Sequence, residues 1–274
     1  MPSKYQLIKK IIYTALFSLF ILLSIIWFTP IAFKACAPNS YWCKLAYYIT
    51  QSGGPLGTII LLLLTGFSYT LGEKLFKQKA IVFFKSVFGL LFFFGLFAFV
   101  NENYTKPILK LHRPSHEYIL LQENISNQID SLYKLSKAER SGFFDILIKS
   151  DTQNFKHIDP LILEHWVQES GFSFPSGHSF NAFLLAMVLA YGIYHNQHKP
   201  RWRNLFVLPF IWALAVGISR VAIGVHTPLD VSTGAAMGVS IGSILLYIDI
   251  TRHWLTRSNS VKRVNLNTQG KGNR

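Results

Sequence analysis

The stretch "AIVFFKSVFGLLFFFGLFAFV", residues 80–100, decides the fold. Its only charge is Lys85. At 1.5 Å per residue a helix of this length crosses the roughly 30 Å hydrocarbon core of a bilayer. Lys85 lies about a turn and a half inside its upstream end, where an ammonium snorkels to the headgroups. Working outward, comparable apolar runs fall at Ile11–Phe28, Pro55–Leu71 and Leu205–Ile218. Two more, Ser179–Tyr194 and Val231–Ile250, are rich in small residues and carry at most one charge each. Half of the 274 residues are hydrophobic, more than an ordinary soluble domain of this length carries.

The expected fold is therefore an all-α integral membrane protein with six transmembrane helices. Residues 101–177, between the third and fourth spans, are too many for a turn and read as an extracytoplasmic helical insertion. Within it, "SLYKLSKAERSGFFDILI" places Leu132, Leu135, Phe143, Phe144 and Leu147 at helical rather than strand spacing. No strand-rich region, repeat or low-complexity tract interrupts the pattern, so residues 1–274 read as a single membrane-embedded domain. The first run is longer than the 7–15 apolar residues of a signal-peptide core and reads as a retained helix.

The formal net charge is +14. A basic surface suits nucleic acid in principle, but the placement of the charges argues for no nucleic acid partner. Lys4, Lys9 and Lys10 precede the first span, and Lys74, Lys77 and Lys79 separate the second from the third. Lys199, Arg201 and Arg203 follow the fourth span, and a basic tail over residues 253–274 follows the sixth. The intervening short loop carries only Lys34 and Lys44. By the positive-inside rule both termini are cytoplasmic and the insertion lies outside. Cys36 and Cys43 share the first outward loop, where a disulfide and a pair of free thiols are both open readings. Gly234, Gly238 and Gly242 form a stripe suited to close helix contact, within the chain or between copies, which leaves the oligomeric state open.

Three polar clusters fall on the outward face. "KPILKLHRP" supplies Lys106, Arg113 and Pro114; "PSGH" supplies Pro175, Ser176, Gly177 and His178; "SRVAIGVHTPLD" supplies Ser219, Arg220, His226 and Asp230. Alone, each has a plain structural reading: snorkelling cations, serine caps, and a Thr227–Asp230 capping box with proline at the first helical position. Arg220 resists that reading, since an arginine near membrane depth needs a partner or water. Jointly, three cations, two imidazoles, a carboxylate and two helix N-termini make an anion site. Cations clamp the charge of a transferring phosphoryl group, one histidine can attack phosphorus, and the other can protonate the departing oxygen. Asp230, one helical turn beyond His226, is placed to hold that imidazole.

These eleven residues, in three spaced blocks, resemble the full signature of the type 2 phosphatidic acid phosphatase superfamily. The resemblance implies that His226 is the nucleophile, His178 the general acid and Asp230 the partner of His226. Lys106, Arg113, Ser176, Gly177 and Arg220 would hold phosphate. It implies a bacterial inner-membrane enzyme whose site faces the periplasm and whose partners are lipid phosphates: phosphatidylglycerophosphate, phosphatidic acid, lysophosphatidic acid and undecaprenyl diphosphate. A dedicated undecaprenyl diphosphate phosphatase is the alternative within the family. A vanadium haloperoxidase shares the cradle, but those enzymes are soluble. A non-enzymatic lipid binder has no use for two histidines at catalytic positions. No metal or other cofactor is expected, because the 13 acids are scattered and make no carboxylate pair. Glu169, nine residues before His178, has two readings, an acid that faces the site and a solvated charge near a helix start; the second is the commoner, and Glu169 stays outside the expected site.

Overall fold

A computed structural model describes residues 4–31, 36–196 and 200–252, all helix and connection, with no strand among them. The helices are α1 (Lys4–Phe28), α2 (Tyr41–Ser52), α3 (Pro55–Thr70) and α4 (Phe76–Leu109). The insertion then contributes α5 (Pro114–Gln122), α6 (Lys137–Ser150) and α7 (Pro160–Gln168). The bundle closes with α8 (Gly177–Asn196), α9 (Asn204–Ala222) and α10 (Pro228–Arg252). The basic tail over residues 253–274, with Lys34 and Lys199, lies outside the described residues.

Five helices are long and apolar enough to cross a membrane: α1, α4, α8, α9 and α10. A sixth is reached if α2 and α3, bent by 57° at Gly53 and Gly54, are counted together as one broken span. Sequence places this span at Pro55–Leu71 alone and misses α2, whose Lys44 and Gln51 break the apolar run. Pro55 at the start of α3 has no N–H to continue the α2 ladder. Gly53 sits so close to Val216 of α9 that a methyl group there would lie 2.6 Å from it. The third span also departs from expectation: α4 continues past Val100 through a π turn, Asn101–Thr105, to Leu109. The polar run "NENYTK" marks a cavity wall rather than a helix end, and the insertion begins only at residue 110.

The bundle is built around α8, whose residues from Ala182 to Val188 are all fully buried. That explains its modest apolarity, since protein neighbours tolerate small and polar groups that hydrocarbon does not. The helices around it turn large apolar side chains outward, among them Phe17 and Phe20 of α1 and Phe84, Phe88 and Phe92 of α4. Gly234, Gly238 and Gly242 press α10 onto α8: an added methyl would overlap the Ser176 and Phe180 carbonyl oxygens and the Met187 side chain. The glycine stripe is thus spent on an internal contact. α1 belongs to the same core, with Ile11, Ala15 and Leu22 fully buried. Lys10 and Arg203 both approach the Tyr194 ring at the far end of α8, roughly 24 Å from His178 at 1.5 Å per residue.

The insertion packs over the opposite end through Ile119, Phe144, Phe155 and Trp166, which share a core with Ile223 and Val225 of the α9–α10 turn. α6 opens on a Ser136–Glu139 capping box. Leu132 and Phe144 are buried as its spacing predicts, whereas Leu135 stays 39% exposed. Arg140 is buried and donates to the Leu132, Tyr133, Leu135 and Ser170 carbonyls, with its guanidinium 4.0 Å from the Tyr133 ring centroid. It therefore knots the insertion rather than serving chemistry. Cys36 and Cys43 form a disulfide. Asp159 accepts from the Asn39 N–H at 3.1 Å and ties this loop to α7.

Candidate active site

The insertion end of the bundle encloses a cavity of about 460 Å³. Lys106, Arg113, Gly177, His178 and His226 line it, and its apolar side is formed by Pro55, Leu91, Phe94, Phe97 and Ala98. Five separate stretches of chain thereby converge on one space. Ser176, Arg220 and Asp230 are fully buried one layer behind it.

His178 enters from the first turn of α8, where the Ser176 hydroxyl accepts from the Ser179 N–H and hydroxyl. The Ser176 N–H in turn donates to the Asp230 carbonyl at 3.0 Å, which fixes the α8 start against the α10 start. Gly54, at the α2–α3 bend, brings its backbone against the ring: a methyl there would lie 3.5 Å from His178 Nε2. This is one use of the bend that sequence did not reveal.

His226 lies in the short α9–α10 turn. Its Nδ1 is 3.3 Å from Asp230 Oδ2, and its Nε2 is 3.4 Å from Arg113 Nη1. With the Nδ1 proton directed at the carboxylate, Nε2 keeps its lone pair toward the cavity. Burial, with Arg113 and Arg220 nearby, holds the imidazole well below its ordinary pKa, so it is neutral at pH 7. Asp230 has the plain role as well: its Oδ2 accepts from the Thr227 N–H and its own N–H donates to the Thr227 hydroxyl, the expected capping box. One carboxylate serves both purposes.

Arg113 and Arg220 reach the site from opposite sides and share Glu169. Arg113 Nη2 is 2.8 Å from Glu169 Oε2, and Arg220 Nη2 is 2.7 Å from Oε1. Arg113 also donates to the Gly171 and Val225 carbonyls. Arg220 Nη1 donates to Thr50 of α2 at 3.0 Å and lies 3.3 Å from His165 Nε2, while Arg220 Nε has no partner. Burial works to raise the Glu169 pKa, but Arg220 and Arg113 outweigh it and hold the carboxyl well below the carboxylate range. The solvated reading of Glu169 is thus corrected, since it lines the cavity between two cations. Its signal was weak because nothing in sequence says that residues 113, 169 and 220 meet. At the mouth, Glu102 pairs with both Lys106 and Lys137.

Two neighbouring histidines carry a pH dependence. Burial and Arg113 depress His116 to about 3, and burial and Arg220 depress His165 to about 4. An unfolded chain protonates histidine near 6.5. Between these values the unfolded state binds more protons, so stability is full above pH 6.5 and is lost as pH falls toward 4. Each histidine contributes about 1.4 kcal/mol per pH unit in that window. Thermal unfolding in detergent is expected to show a falling midpoint from pH 7 to 5, and a flat profile would remove these two groups as the cause.

An all-helical membrane bundle with a cation-lined cavity at one end of its spans defines the class as an integral membrane enzyme acting on an anion. Residues 86–254 match the PAP2 superfamily, and the chain belongs to that superfamily as a membrane-bound lipid phosphatase. It is 26% identical over 212 residues to phosphatidylglycerophosphatase B of Escherichia coli K12, covering 77% of each chain. It is 41% identical over 78 residues to phosphatidylglycerophosphatase B of Bacillus subtilis, covering 27% of this chain and 37% of that one. A protein named undecaprenyl-diphosphatase from Sulfolobus acidocaldarius is 30% identical over 104 residues, 38% of this chain and 46% of its own.

Proposed function

We propose that this enzyme hydrolyses phosphatidylglycerophosphate to phosphatidylglycerol, and related lipid phosphates and diphosphates including undecaprenyl diphosphate, through a phosphohistidine. The observation that carries the reading is the shared cavity of two imidazoles and two cations that continues into an apolar wall. In the proposed reaction His226 Nε2 attacks the terminal phosphorus while the P–O bond to the leaving group breaks, an ester bond in a lipid phosphate and an anhydride bond in a lipid diphosphate. The departing oxygen takes the proton of His178. Water, giving a proton to His178, then attacks phosphorus, the P–N bond breaks to return the electron pair to His226 Nε2, and inorganic phosphate leaves. Asp230 holds the Nδ1 proton of His226 throughout. Lys106, Arg113 and Arg220, with Ser176 and the Gly177 N–H at the α8 N-terminus, neutralise the equatorial oxygens.

The test is phosphate release from each lipid by purified protein in detergent, with and without chelator. Turnover in chelator and inhibition by vanadate are expected, because a five-coordinate oxyanion matches the phosphoryl transition state. Strict dependence on magnesium, or turnover of soluble esters alone, would sink the proposal.

The site is further proposed to face the periplasm of a bacterial inner membrane, with both termini cytoplasmic and residues 1–274 forming one phosphatase domain with its insertion. Lysine and arginine placement supports this, as does the meeting of Lys10 and Arg203 at the end remote from the cavity. A cysteine placed at Ser150 should react with an impermeant reagent in spheroplasts; protection until permeabilisation would reverse the topology.

A further inference from the structure

Asn101 is a polar residue at membrane depth that the reaction above does not use. It is 3% exposed, lines the cavity, and its Oδ1 has no hydrogen-bond partner. A buried amide oxygen without a partner is unfavourable in any protein, and more so beside hydrocarbon. Such a group calls for a partner that the fold does not supply, and at a cavity wall a ligand can be that partner.

Its placement says which part of the ligand. In an unbroken α-helix, residues five apart point about 140° away from each other. Here the Lys106 N–H donates to the Asn101 carbonyl, an i→i+5 bond, and the π turn puts Asn101 and Lys106 on the same cavity wall. Asn101 sits about 7 Å along the helix axis below Lys106, on the side of Phe94, Phe97 and Ala98. A lipid with its phosphate at the cations and its chains along the apolar wall must pass its linker across Asn101. The amide oxygen is buried in the wall, a turn about the Cβ–Cγ bond brings it to the cavity face, and the linker donor available there in a phosphoglycerol headgroup is its free hydroxyl.

We propose that Asn101 is a specificity-determining residue that accepts a hydrogen bond from a hydroxyl on the linker next to the scissile phosphate ester. Phosphatidylglycerophosphate and lysophosphatidic acid carry such a hydroxyl; phosphatidic acid and undecaprenyl diphosphate do not. The inference rests on the phosphatase reading and deepens it, because it ranks substrates that the phosphate cradle alone treats alike.

The experiment compares kcat/KM for phosphatidylglycerophosphate and its deoxy analogue lacking the central headgroup hydroxyl, in mixed micelles. The wild-type protein is expected to prefer the hydroxylated lipid by about tenfold, the scale of a single hydrogen bond to a buried acceptor. In Asn101→Leu and Asn101→Ala, with that acceptor gone, the ratio should fall to about twofold or less. A wild-type ratio near one overturns the proposal without any variant. So does a ratio unchanged in the variants, and loss of both activities in folded, monodisperse variants assigns Asn101 to the chemistry or the scaffold instead. If the wild-type protein releases phosphate from neither lipid, it is the phosphatase reading that fails.

Discussion

His226→Ala is expected to lower phosphate release by roughly 10⁴- to 10⁶-fold, the scale seen when a nucleophile is removed from a site that still binds its substrate. Its Nε2 lone pair faces the cavity beside Arg113, and its Nδ1 is engaged by Asp230. The phosphohistidine should vanish with it in a rapid-quench experiment. His178→Ala differs in kind. It should lower turnover of lipid esters by about 10² to 10⁴, yet keep appreciable attack on a phosphoryl donor whose leaving group needs no proton. A phosphohistidine that still forms at the normal rate without His226 would end the assignment of roles.

Glu169→Gln is expected to act in opposite directions on stability and on anion binding. The carboxylate bridges two buried guanidiniums at 2.7 and 2.8 Å. Removing its charge leaves like charges facing each other away from water, and a broken buried pair costs about 3–5 kcal/mol. A tetrahedral dianion supplies the same neutralisation, so vanadate should restore much of the loss by binding only the folded state. The measurement is the unfolding midpoint with and without vanadate. A larger vanadate shift in the variant than in the wild-type protein is the expected result; equal shifts would mean that Glu169 and the anion do not compete for Arg113 and Arg220.

The distance in sequence between Glu169 and these two arginines is also why the sequence left it outside the expected site. The signature residues are recognisable because each sits in a short block whose spacing is itself chemical: Asp230 one turn from His226, His178 beside the glycine that opens α8. Glu169 has only His165, one turn before it and 3.8 Å away, as a local mark, and that pair lies in no signature block. Its two guanidinium partners lie 56 residues upstream and 51 downstream, by the differences 169 − 113 and 220 − 169. Asn101 was hidden in another way, since a polar run after an apolar one reads as the end of a span. α2 was hidden by Lys44 and Gln51, and Thr50 on it is known as an Arg220 partner only once the α2–α3 bend brings it there.

What the sequence determined by itself was the solvent and the parts. Apolar length depends on composition along a single helix, so the membrane class, most of the spans and their alternating charge could be read residue by residue. The same holds for the helix starts at Gly177 and Pro228, whose serine, threonine and aspartate caps are local bonds. What only the tertiary structure decided was which groups share a space. The close approach of α10 to α8, the bend at Gly53 and Gly54, and the π turn before Lys106 are set by long-range packing. A partner for a buried charge is chosen by proximity in the folded bundle, because low dielectric makes the nearest opposite charge count far more than any neighbour in sequence.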